Sequence, residues 1–290
     1  MDQLKPILID IFAELSKKVT ENKLTPTGVD YIDKLLDGGL LEDDFVNFMG
    51  PSGYGKTTIM NQLLASYVEA SRRALLISTE QSFKGDIASR WQTLMTGESK
   101  NAFLSGHVDE RAQALLKTKI THWEKFAIFE SWAKKEKLDL LLEIEQLIIQ
   151  EQPEVVLFDG WQRAADLVTK GSKNSKLDLR EALQGLKNLA IKHQIPIMIT
   201  HQLNGVAASK GNVNAISQFD AQEDKDFVHR FDMSIVFSRT NIDGVTIMQT
   251  GKSRHSEPSQ VEVRLNGEFC KFELVDEGQD SEEMNDFGSI

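Results

Sequence analysis

The sequence is poor in three things, and each shortage excludes a class. It holds one cysteine, Cys270, so no internal disulfide framework is available; a reducing compartment fits, and the lone thiol reads as a core side chain. No run approaches the roughly 20 apolar residues of a membrane span. The N-terminus, with Asp2, Lys5 and Asp10 around a short apolar patch, does not read as a signal peptide. The expectation is a cytoplasmic protein with no membrane partner. Positive charge is also short: 33 Lys and Arg against 44 Asp and Glu leave a net charge of −11. That argues against broad, nonspecific adhesion to nucleic acid, so any DNA contact needs a local basic surface. What is present is ordinary for a globular protein. With 290 residues, 40% of them hydrophobic and 27% charged, the chain can form one large α/β domain or two small ones.

The rest of the chain is organised around Gly50-Pro51-Ser52-Gly53-Tyr54-Gly55-Lys56-Thr57-Thr58, which satisfies the phosphate-binding pattern G-x-x-x-x-G-K-[ST] in full. An apolar run, Phe45 to Met49, precedes it as a buried strand, and Ile59 to Ala70 follows as a helix, so the strand-loop-helix context is present. The glycines let the backbone wrap phosphates at a helix N-terminus. Lys56 is placed to meet the β- and γ-phosphates of a nucleoside triphosphate, and Thr57 to ligate Mg²⁺. A plain Gly-rich turn before a helix does not need Lys-Thr at the first helical residues.

Further apolar strands end in polar residues: Ala74 to Ser78 runs on to Glu80, Val155 to Phe158 ends in Asp159, and Ile195 to Thr200 leads into His201-Gln202. Residues 85–126 read as helical with a connection at Phe103 to Asp109, Ala127 to Phe129 as a short strand, and Leu138 to Gln150 and Leu179 to His193 as helices, the former stopped by Pro153. Asp232 to Phe237 and Val245 to Gln249 form a hairpin through Asn241 to Gly244, and a second hairpin closes around Asn266-Gly267. Residues 1–24 are expected to carry an amphipathic helix (Leu4, Ile7, Leu8, Ile11, Phe12, Leu15) and a linker, with the helix packed on its own domain or on a second copy. Residues 25–274 form the core. Residues 275–290 are acidic, with Met284 and Phe287 as isolated apolar residues, and read as a disordered tail that either solubilises the protein or docks a partner.

Thr27-Gly28, Leu36 to Leu40, the phosphate loop and the later stretches Asp159-Gly160-Trp161-Gln162 and Ile195 to Asn204 together resemble the RecA-like ATPases, and among them the DnaB-type replicative helicases. The resemblance covers residues 24–274. It implies an α/β fold: a twisted, mostly parallel sheet with helices on both faces and an antiparallel hairpin region at the C-terminal end. It also implies a hexameric ring or filament that hydrolyses ATP with Mg²⁺, moves on single-stranded DNA and unwinds duplex in replication, in a compact, phage-like form without a collar or primase domain. In that frame Glu80 is the general base, Asp159 the Mg²⁺-linked carboxylate, Gln202 the γ-phosphate sensor, and Lys252-x-Arg254 the element that reaches a neighbour's γ-phosphate. Lys170, Lys173 and Lys176, in a flexible basic loop, and Lys210 and Asn212, in the family's channel-loop position, are the candidate DNA contacts. The acidic residues between Phe219 and Asp226 depart from the family there. A polymerase, primase or loader is the kind of partner expected for the tail. The other readings are a KaiC- or RadA-like regulatory or recombination ATPase that unwinds nothing, and an accessory protein that binds ATP as a structural element.

Overall fold

The computed structural model describes residues 24–135, 139–169, 175–203, 228–240, 242, 244–253 and 257–275. The expected N-terminal helix, Lys170, Lys173, Lys210, Asn212, Arg254 and residues 276–290 of the acidic tail lie outside them. Among the described residues nine strands form one sheet: β1 (Phe45–Gly50), β2 (Ala74–Ser78), β3 (Ala127–Ser131), β4 (Val155–Asp159), β5 (Ile197–Gln202), β6 (Met233–Arg239), β7 (Val245–Lys252), β8 (Gln260–Asn266) and β9 (Lys271–Leu274). Their order is β3-β2-β4-β5-β1-β6-β7-β8-β9. The first six positions are parallel, and β6 to β9 continue as an antiparallel meander. The expected architecture is therefore the observed one.

Strand periodicity explains why both faces are covered. In β1, Val46 and Phe48 enter one core while Phe45 and Met49 enter the other; in β4, Val155 and Leu157 separate in the same way from Val156 and Phe158. The first core is closed by α1 (Asp30–Leu35), α2 (Lys56–Glu69), α3 (Ala88–Thr96) and α5 (Glu110–Phe126), the second by α6 (Leu140–Glu151), α7 (Trp161–Thr169) and α8 (Ser175–His193). A short helix, α4 (Lys100–Ser105), links α3 to α5.

Helix boundaries are where the structure departs from the sequence reading. The single connection expected at Phe103 to Asp109 is two breaks. Ser99 caps α4 by accepting a hydrogen bond from Ala102 N, Asp109 caps α5 through Ala112 N, and Gly97 and Gly106 close the preceding helices in left-handed conformations. Residues Phe83–Ile87 form one π-helical turn before α3. Lys176, expected in a flexible loop, falls in the first turn of α8, which begins four residues before the anticipated Leu179. The closing hairpin turns over residues 267–270, so β9 starts at Lys271.

Candidate functional site

Parallel pairing sets the ends of β1, β5, β4 and β2 along one edge of the sheet: Gly50 is level with Gln202, Phe158 with Ile199, and Asp159 with Ser78. This edge carries a cleft of about 410 Å³ whose lining includes Lys56, Thr57, Thr58, Glu80, Asp159, Thr200 and Gln202. Two strands, β4 and β5, lie between β2 and β1, and Glu80 reaches the cleft because the chain runs on past Ser78. Thr79 fastens that extension to β4: its N–H donates to Asp159 O at 3.1 Å and its hydroxyl to Gly160 O at 2.8 Å. Gly160 has φ +96°, and a Cβ there would strike Thr79 Oγ1, so the close approach of the two strand ends requires glycine.

The phosphate loop is closed from the far side by the C-terminal strands. Gly55 has φ +82°, and a Cβ would run into the Phe272 ring. Phe272 is held by Gln62 of α2, which accepts from Phe272 N at 2.9 Å and donates to Phe272 O at 3.1 Å. Within the loop, Lys56 Nζ donates to Gly50 O and Pro51 O, each at 2.7 Å. Arg239 lies 4.6 Å over the Tyr54 ring and donates to Gly53 O at 3.4 Å.

Asp159 is held on both carboxylate oxygens and is 6% exposed. One oxygen accepts from Thr57 Oγ1 at 2.8 Å, the other from Thr200 Oγ1 at 2.8 Å, and Thr200 in turn accepts from Gly160 N at 2.8 Å. Burial raises its pKa, opposed by these hydroxyls and by the charges of Lys56 and Arg90. The pair of hard oxygens at Thr57 and Asp159, 2.8 Å apart at the foot of a phosphate loop, fits the Mg²⁺ of a nucleoside triphosphate, an ion that takes few protein ligands and completes its shell with phosphate and water. Thr200 was missed in the sequence because a threonine in a buried strand carries no pattern of its own. His201 beside it is fully buried, and burial pulls its pKa down to about 3, so it is neutral at physiological pH.

Burial also lowers Lys56, from 10.5 to about 8, against the pull of Asp159 and Glu80. Between these two values the unfolded chain holds a proton that the folded protein has released, so this group's contribution to the stability of the nucleotide-free protein rises with pH across that window. Phosphates favour the ammonium, so nucleotide binding should take up protons above pH 8 and weaken as pH rises further. Calorimetry with ADP about half a unit above that value, in buffers of different ionisation enthalpy, should report the uptake, and binding with no proton exchange would contradict it.

Not every predicted residue joins the cleft. Lys252 aligns with Ser234 on β6, and β6 in turn aligns its Met233 with Val46 near the start of β1. Its ammonium donates to Phe231 O at 2.6 Å and His229 O at 2.9 Å, ahead of β6 and toward the opposite edge of the sheet. That edge also holds the buried Lys187–Asp232 ion pair, with Phe45 N on the same Asp232 carboxylate at 2.9 Å. Among the described residues no helix is long and apolar enough to cross a membrane.

The fold agrees with that of known proteins. One solved ATPase domain superposes with a TM-score of 0.77 at 15% identity, covering 95% of this chain and 100% of that one. A DnaB-like replicative helicase, solved for its interactions with primase, gives 0.76 at 14% identity, covering 93% of this chain and 68% of that one. By sequence, the DNA repair protein RadA of Mycolicibacterium smegmatis is 31% identical over 99 residues, which is 31% of this chain. The DNA repair protein RAD51 homolog 4 of Mus musculus is 25% identical over 201 residues, 67% of this chain. The chain spans 21% of that RadA and 55% of that RAD51 homolog. The AAA domain family model matches residues 14–207. With a phosphate loop, two cleft carboxylates and the sheet of the DnaB-like ATPase domains joined in one unit, the chain belongs to the AAA domain family and has the RecA-like fold of the DnaB-type ATPases.

Proposed function

We propose that the protein is an ATP-driven DNA helicase motor of the DnaB type, working in the cytosol on single-stranded DNA and unwinding duplex in replication. The observation that carries this reading is the convergence of Asp159 and Gln202, at the ends of β4 and β5, and Glu80, just past the end of β2, on one phosphate-loop cleft. A protein that only stored ATP would need the loop and not the two carboxylates.

In this reading the backbone of residues 50–58 cradles the phosphates. Lys56 leaves the carbonyls of Gly50 and Pro51 for the β- and γ-phosphates. Thr57 and Asp159 would hold Mg²⁺, which would supply positive charge to the phosphates. Glu80 orients a water and takes its proton as the oxygen attacks phosphorus, while the bond to the β-phosphate breaks and its electrons leave with the oxygen of ADP. Gln202 ends β5, with its carbonyl held by Gln162 Nε2 at 2.9 Å, and couples the γ-phosphate to the segment after it, where Lys210 and Asn212 lie. Lys170, Lys173 and Lys176 add phosphate contacts. Lys252 faces away from the chain's own cleft, so with Arg254 it would serve the cleft of the next copy in a hexamer. The acidic tail would dock a polymerase, primase or loader.

The second reading, a recombination or regulatory ATPase, is favoured by the RadA and RAD51-homolog relatives. Steady-state ATPase with and without single-stranded DNA tests the proposal. Hydrolysis should be stimulated and the stimulation should fall steeply with salt, because a few lysines on an acidic chain neutralise the phosphates. Hydrolysis indifferent to single-stranded DNA of any length would favour the second reading.

A further inference from the structure

One wall of the cleft carries two cations that the helicase scheme leaves without a task. Arg90 of α3 and Lys100, the first residue of α4, both line it, facing the phosphate loop. Arg90 Nη1 donates to the buried hydroxyl of Thr58 at 3.3 Å. A single carboxylate, Asp86, serves both cations, at 2.8 Å from Lys100 and 3.7 Å from Arg90, and neither pairs with any other carboxylate among the described residues. This wall therefore has surplus positive charge. Arg90 Nε is buried with no hydrogen-bond partner among the described residues, as is Gln81 Oε1 on the same side of the cleft. Leaving a guanidinium donor dry and unpaired is unfavourable unless something else occupies it.

Arg90 is also held in place. Its neighbour Trp91 donates from Nε1 to Asn61 Oδ1 at 2.9 Å, and Asn61 Nδ2 donates to Thr57 O at 2.8 Å, so α3 is bonded to the first turn of the phosphate-loop helix. Lys100 is fixed by its backbone N–H, which donates to Glu268 O in the β8–β9 turn at 2.9 Å. The charge of Arg90 is felt at Asp159 across the cleft.

We propose that Arg90, supported by Lys100, forms a second phosphate-binding wall that grips the α- and β-phosphates of a nucleoside di- or triphosphate seated on the phosphate loop. This rests on the nucleotide-binding reading and adds to it the part of the ligand that is recognised. Thr58 stands one residue deeper in α2 than the metal-side Thr57, at the end of the loop whose backbone N–H groups meet the α- and β-phosphates, whereas Lys56, Glu80 and Gln202 face the γ-phosphate. The guanidinium that touches Thr58 through Nη1 can exchange that hydroxyl for a phosphate oxygen, with Asp86 on its other side.

Calorimetric titration with ADP and with ATP, paired with steady-state kinetics, tests it. Arg90→Gln should weaken both nucleotides by a similar factor of roughly 10 to 100, the value of a charge-assisted hydrogen bond. KM for ATP should rise with kcat close to the parent value. Lys100→Gln should show a smaller loss in the same pattern, and Arg90→Lys should recover part of it. Melting curves identify a misfolded variant; if Arg90→Gln is one, Lys100→Gln carries the test, since its side chain ends at the surface of the cleft. Parent affinity for both nucleotides in Arg90→Gln and Lys100→Gln would overturn the proposal. So would a loss confined to ATP with a fall in kcat, which would put these cations at the γ-phosphate. A parent protein that binds neither nucleotide would instead overturn the reading on which the proposal rests.

Discussion

Glu80→Gln should bind ATP as tightly as the parent and hydrolyse it on the order of 10³-fold more slowly, within the range that positioned general bases contribute. Glu80 is exposed and projects into the cleft beyond the end of β2. Thr79 carries the structural contacts of this corner, which leaves the Glu80 carboxylate available to the cleft. The glutamine keeps the volume and loses the ability to accept a proton, so the change falls on the chemical step. Lys56→Ala removes a charge from the phosphates themselves, and there binding should be lost. Equilibrium nucleotide binding and turnover, measured on both variants, separate the two roles. A Glu80→Gln protein turning over at the parent rate would send the search for a base elsewhere in the cleft.

Arg254→Ala should lose on the order of 10³ in rate, as when an arginine reaching a transferring phosphate is removed, and should regain activity when mixed with Lys56→Ala. The reason is the direction of β7. Antiparallel pairing with β6 brings its end, at Lys252, back toward the start of β1, away from the chain's own phosphate loop. In the proposed assembly Arg254, two positions beyond Lys252, would therefore serve the cleft of another copy. In a mixed assembly some clefts combine an intact Lys56 with an intact Arg254, and those should hydrolyse ATP. Mixed assemblies, verified as mixed, that recover nothing would place the arginine in cis.

Much of the cleft was legible because its chemistry demands adjacency. Phosphate binding needs glycines, lysine and threonine in successive positions, and a parallel strand covered on both faces is an unbroken apolar run, so Phe45 to Met49 and Val155 to Phe158 announced both their burial and the residue at their end. Arg90, Lys100 and Thr200 were not legible. Their places depend on how α3 packs against α2, how α4 meets the β8–β9 turn and how β5 lies beside β4, relations between segments far apart in the chain. The misplacement of Lys176 has a similar origin: glycine and lysine around position 171 suggest a loop, while the helix start at Ser175 is set by packing of the apolar positions further along α8. The separation of β2 from β1 by two strands is a matter of sheet order, which no local pattern encodes.

The central claim is that hydrolysis in this cleft drives movement on DNA, and strand displacement tests it most directly. On a forked duplex with both single-stranded arms, the parent protein with ATP and Mg²⁺ should release the labelled strand, and Glu80→Gln should bind the fork and release none. ATP hydrolysis by the parent at full rate with no strand released from forks of either polarity would contradict the account and leave a RecA-like ATPase that does not unwind.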